Sequence, residues 1–203
     1  MDRERYVLAL CFWTSALQYL TLVENVSRAT VSQGNVWTLV RDYGDSGITA
    51  DEYRNATRWS DHSIIIPLLF NLLHGIELLA KGFLLADPDE TVDKNHKISE
   101  LRNRVHDKFP NETILNSFLS KYTDESHVPE LVSRFLDRNG LSVDRLYPAL
   151  RYPSPDFVAT HQYASLKYQG EAGTPFFADL VDDIKELVIA AVDLGRRLET
   201  AGE

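Results

Sequence analysis

One cysteine, Cys11, stands in a chain of 203 residues. A single thiol closes no internal disulfide, and without Cys pairs neither a zinc ribbon nor a CxxC redox motif can form, so a reducing cytoplasm is the expected setting. Also absent are a P-loop, a dinucleotide-binding glycine fingerprint, a nucleophile elbow and a His-Glu-x-x-His pair. With them go the best-marked routes to nucleotide hydrolysis, hydride transfer, ester hydrolysis and zinc proteolysis. No internal repeat and no low-complexity tract is present. Basic residues are in the minority, 21 Lys and Arg against 30 Asp and Glu, for a net charge of −9. Such a surface repels a nucleic-acid backbone at long range, so any RNA contact has to be local. The densest basic stretch is Lys94, Lys97, Arg102, Arg104, His106 and Lys108, but Asp93, Glu100 and Asp107 interrupt it, which reads as a solvated helix face.

What is present suits one globular unit of residues 1–203: hydrophobic residues at 44% and charged residues at 25% are ordinary proportions for a folded core. Tyr6 to Val23 carries no charge and follows Arg3 and Arg5. Thr14, Ser15, Gln18 and Thr21 weaken a membrane reading of that run, and a buried core helix is expected, with no membrane partner.

Apolar spacing predicts a first helix over residues 3–29, ended by Gly34. Residues 31–60 read as a loop or small excursion, with Gly34, Gly44, Gly47 and a β-prone run from Val36 to Val40. The strongest signal is a central helix over residues 63–86, with Pro67 in its first turn or at a kink. Shorter helices follow over 97–108, 112–122 and 129–138, the last ended by Asn139 and Gly140. Pro148, Pro153 and Pro155 predict an extended connector within 146–174, and Thr174 with Pro175 opens a final helix. The expected class is all-α, a helical bundle with a long insertion between its first two helices.

On the central helix Asn71, His74, Glu77 and Lys81 share a stripe about 120° wide on an otherwise apolar surface. A buried stripe of this kind needs polar partners, although Glu77 and Lys81 are also correctly ordered for an i,i+4 pair. The run Phe70-Asn71-Leu72-Leu73-His74-Gly75-Ile76-Glu77-Leu78-Leu79-Ala80-Lys81, then His96-Lys97-Ile98-Ser99-Glu100-Leu101, and much later Arg151-Tyr152-Pro153 before the last helix, resembles the HEPN superfamily. There a central helix with Glu-x-x-x-Lys precedes a His-x-x-x-x-Leu helix start and, later, an Arg-Tyr-Pro element. The resemblance covers a little under half of the chain. It implies a HEPN-like bundle, a homodimer, an RNA or nucleotide ligand and a possible partner protein, as in prokaryotic defence or toxin–antitoxin-type systems, with no cofactor.

Catalytic members of that superfamily are metal-independent ribonucleases with an Arg and a His separated by four to six intervening residues. Histidine moves a proton near neutral pH and arginine stabilises charge on the scissile phosphate. This chain departs from that spacing: its candidates are Arg102 with His106, Arg58 with His62, and Arg151 with His161. His74, Glu77, Lys81, His96 and Tyr152 are the candidate binding residues. A metal bound by His74, Glu77 and His96 is not expected, because a second Glu-x-x-His or a His-x-x-x-His pair is missing. Two roles are open for Arg151: locking its connector onto the central helix by pairing with Glu77, or reaching a phosphate. The alternative to an RNA-related role is a purely structural helical interaction module.

Overall fold

The computed structural model describes residues 3–39, 47–92, 96–154 and 160–201. It is all helical, and among the described residues there is no strand. The elements are α1 (Arg3–Gln33), α2 (Ala50–Thr57), α3 (Asp61–Ala86), α4 (Ile98–Lys108), α5 (Thr113–Thr123), α6 (Glu130–Asn139), α7 (Val143–Arg151) and α8 (Thr174–Ala201), with 3-10 turns at Tyr163–Ser165 and Gly170–Gly173. Gly44, Lys94, Asp93 and Pro155, all used in the sequence reading, lie outside the described residues.

Helix α3 is the axis of the bundle. Its apolar run buries Ile65, Leu69, Leu72, Ile76, Leu79 and Phe83 almost completely, and α1, α4 and α7 pack around it. The closest approach is to α1, and two glycines one heptad apart make it possible. A Cβ on Gly82 would lie 2.5 Å from Trp13 Cδ1 and 3.2 Å from Phe12 Cβ, and one on Gly75 would lie 3.1 Å from Leu20 Cγ. Here the absence of a side chain sets the interhelix distance. Helix α8 closes the bundle against α1 and α5, burying Phe177, Leu180, Ile184 and Leu187. Helices α1 and α3 are each long and apolar enough to cross a membrane by length and composition alone. Most of α3 is interior, whereas α1 exposes Val7, Leu8, Leu10 and Leu22.

Two sequence expectations are corrected. Residues 31–60 are not simply a loop: α1 runs on to Gln33, and α2 forms behind a complete capping box in which Thr49 and Glu52 satisfy each other's backbone N–H. The second correction concerns the proline-rich connector of 146–174, whose first part is helical. Pro148 lies inside α7, so Arg151 is the last residue of a helix instead of an arm on an extended strap. Pro148 removes one i→i−4 hydrogen bond from a short, solvent-facing helix, a loss that burial of Val143, Leu146, Ala149 and Leu150 offsets. Pro67 is likewise inside α3, beyond its first turn. Gly34 and Gly140 end α1 and α6 with positive φ as expected. Thr174 opens α8, but its hydroxyl is buried without a hydrogen-bond partner.

A second polar feature, with no local sequence pattern, joins three distant segments. Asp61, fully buried at the start of α3, accepts the backbone N–H groups of Tyr168 at 2.8 Å and Gln169 at 2.7 Å and the Asn35 amide at 3.0 Å. Asn35 returns a bond from the Asp61 N–H to its own Oδ1 at 2.6 Å and donates to the Gly170 carbonyl at 2.6 Å. The end of α1, the start of α3 and the approach to α8 are thereby fixed at one point.

Candidate functional site

The stripe on α3 faces protein. Glu77 and Lys81 are 6% and 7% exposed, and Lys81 Nζ donates to Glu77 Oε1 at 2.7 Å. The same oxygen accepts from His96 Nδ1 at 2.7 Å. A carboxylate this buried requires such partners, because desolvating it alone would be costly. His96 sits just before α4, and its position is set by α7: Asp144 accepts both the Ser99 N–H at 2.9 Å and the Ser99 hydroxyl at 2.7 Å, tying the first turn of α4 to the first turn of α7. With Nδ1 committed to Glu77, Nε2 is the imidazole nitrogen left for a ligand, and the His96 side chain is 68% exposed.

One turn before Glu77 on α3, His74 lies between aromatic rings. The rings of Phe70, His74 and Tyr147 are nearly parallel, with Tyr147 12° from Phe70 and 10° from His74, while Tyr19 of α1 meets His74 edge-on at 4.7 Å. The Tyr147 hydroxyl is within hydrogen-bonding distance of His74 Nδ1, at 3.2 Å. Burial is the largest influence on His74 and lowers its pKa; Glu77 opposes this, and the charges of Lys81 and His96 reinforce it. Burial followed by the negative charge of Glu77 raises the Tyr147 hydroxyl, and Arg151 opposes that rise.

The lowered His74 pKa has a thermodynamic consequence. A histidine whose folded pKa lies below its unfolded value of about 6.5 contributes full stability above that value and loses it as pH falls toward the folded pKa. The urea midpoint is therefore expected to fall between about pH 7 and pH 5, with part of that fall removed in His74→Phe. Parallel pH curves for the two proteins would refute the assignment to His74.

The other sequence candidates are dispersed. Arg102 is committed to the Thr123 carbonyl at 2.8 Å and to Asp124 at 3.1 Å, binding α4 to the end of α5, while His106 lines a separate surface cavity with His127 and Lys121. Two further cations of that basic stretch are paired with acids: Arg104 with Glu90, and Lys108 with Asp87 and Glu90. Arg58 reaches Asn55 at the edge of hydrogen-bonding distance, 3.4 Å, while His62 packs on Tyr168 at 4.9 Å. Arg151 does not pair with Glu77, whose partners are Lys81 and His96; its guanidinium lies 5.2 Å from the centre of the exposed Tyr152 ring. The structural role in which Arg151 locks a connector through Glu77 is thus overturned, because α7 itself makes the attachment through Tyr147. His161 lines a groove on another side of α7, together with Tyr152. Sequence reading missed Tyr147, Tyr19 and Asp144 as parts of the site; for Tyr147 the available signal was its place four residues before Arg151, which puts both on one face of a helix once 143–151 is helical.

Among the described residues no group of three or more His, Cys, Asp or Glu side chains is placed to hold a metal ion. Comparison of the chain with family models, curated proteins and solved structures finds no match.

Proposed function

We propose that this chain is a HEPN-type helical component of a prokaryotic defence or toxin–antitoxin-like system that engages RNA without cleaving it. The observation that carries the reading is convergence. Glu77 and Lys81 of the central helix, His96 before the next helix and the α7 segment leading to Arg151-Tyr152-Pro153 are separated in sequence yet joined by direct contacts or by the Asp144 tie. These are the same three elements on which the family resemblance rests. The remaining imidazole nitrogen of His96 and the rim guanidinium of Arg151 offer a local polar contact to a strand, which an otherwise acidic surface requires. Cleavage is disfavoured because none of the three Arg–His pairs read from the sequence is assembled around a common point: Arg102 and Arg58 are engaged elsewhere, and Arg151 is turned onto Tyr152.

The exposed apolar residues of α1 favour assembly through that helix, and the working form is a homodimer. The test is single-stranded RNA with unphosphorylated ends, incubated with the protein in a metal chelator. Binding without cleavage is expected, weakened by Arg151→Ala with melting unchanged. Metal-independent cleavage would replace the accessory role with a nuclease, and absence of binding would leave the interaction-module reading. Sedimentation of the same preparation at micromolar concentration should show a dimer; a lone 23.1 kDa species would overturn that part.

A further inference from the structure

A groove of about 740 Å³ lies on another side of α7 from the His74 contact, lined by Arg138, Arg145, Tyr152, Pro153, Ser154 and His161, among others. None of the described residues lining it is acidic, in a chain that carries 30 Asp and Glu. Arg138 and Arg145 have no acidic partner among the described residues, unlike Arg102 and Arg104. Arg138 suits the C-terminal end of α6, but Arg145 stands in the first turn of α7, where the helix dipole disfavours a cation. Helix stability therefore gives no reason for it there.

The groove is also built. The His161 N–H donates to the Pro153 carbonyl at 3.0 Å, the Gln162 N–H donates to Asn139 Oδ1 at 2.8 Å, and the Tyr163 hydroxyl donates to the Ala149 carbonyl. These bonds hold its walls, the end of α6, the side of α7 and the segment from 160 to 163, in one arrangement. The His161 ring is set edge-on to Phe135 and Tyr163. The Arg151 guanidinium lies 5.2 Å from the centre of the Tyr152 ring, and Tyr152 is 54% exposed, which leaves ring surface for a flat group. Ser154 Oγ is enclosed at the wall and has no hydrogen-bond partner among the described residues.

We propose that this groove binds a phosphomonoester with a planar body, in the form of a nucleoside monophosphate unit. Two guanidiniums match a dianionic terminal phosphate, whereas an internal phosphodiester offers one charge. Tyr152 stacks the base. The volume falls within the range of small-molecule sites, and the acidity of the remaining surface favours a compact, concentrated charge over a long backbone. The unit has two sources, a free mononucleotide or the phosphorylated end of an RNA strand. The inference rests on this groove and not on the family reading above.

The experiment is calorimetric titration of the full chain with AMP, adenosine and inorganic phosphate, and with oligoadenylate carrying a 5′-phosphate or a 5′-hydroxyl. AMP should bind, adenosine and phosphate each at least about tenfold more weakly. Arg138→Gln and Arg145→Gln should each weaken AMP about tenfold, and Tyr152→Ala about fivefold. Arg145→Gln should melt no lower than the parent protein, which a structural role for that residue would not allow. Preference for the 5′-phosphorylated oligomer that disappears in Arg145→Gln identifies the strand end as the source, and AMP binding without that preference identifies the free nucleotide. The proposal is overturned if AMP does not bind, if both Arg variants bind it as the parent does, or if a phosphotyrosine peptide binds at least as tightly as AMP and is equally sensitive to them.

Discussion

Asp61→Ala is expected to be the most destabilising single substitution in the chain, on the order of 5 kcal/mol. The side chain is fully buried, and its two oxygens accept from the Tyr168 and Gln169 backbone N–H groups and from the Asn35 amide. Alanine removes every acceptor and leaves three donors in a site too enclosed for bulk water. Each donor stranded in that way costs about 1–3 kcal/mol. The loss is comparable to the whole stability of a small domain, about 5–15 kcal/mol, and corresponds to a melting decrease of roughly 10–20 °C at this chain length. Asp61→Asn should fall between the two, because one oxygen remains while the new amide opposes a donor. Thermal melting of the three proteins checks the order; an Asp61→Ala variant melting within 2 °C of the parent would show that the junction is not a fixed point of the fold.

This junction also marks where sequence reading ends. Asn35, Asp61 and Tyr168 are far apart in the chain, and nothing local distinguishes Asp61 from any aspartate at a helix start. The polar stripe on α3 was legible for the opposite reason: Glu77 and Lys81 interrupt an apolar run, and one helical turn separates them, so both burial and pairing follow from periodicity alone. His96 was within reach as a partner, since a buried carboxylate needs more than one donor. Helix α7 was hidden because Pro148 reads as a breaker, although apolar residues at 143, 146, 149 and 150 follow helical spacing across it. Without that helix, Arg151 falls on a strap, Tyr147 has no face, and Arg145 is not placed on the groove that Arg138 also lines. Helix α2 carries the Thr49-x-x-Glu52 capping signature, but it spans only eight residues and adjoins a glycine-containing stretch, so apolar periodicity does not mark it. The groove behind α7 was therefore half visible, through Tyr152 and His161, and lacked the arginines that give it a chemistry.

The second large effect is expected at Glu77, and its size depends on which partner is removed with it. Glu77→Ala leaves the Lys81 ammonium, only 7% exposed, without its counter-charge and takes the acceptor from His96. Breaking one side of a buried pair in this way costs about 3–5 kcal/mol. The pair itself adds far less than that to stability, because desolvation of two ions offsets most of their attraction. Replacing both with apolar residues of similar volume, Glu77→Leu with Lys81→Met, should therefore recover most of the loss and melt near or above the parent protein. Urea unfolding of the single and double variants measures the difference directly. A double variant no more stable than Glu77→Ala would mean that His96, left without an acceptor, carries the cost, and Glu77 would then act chiefly to hold that imidazole in place.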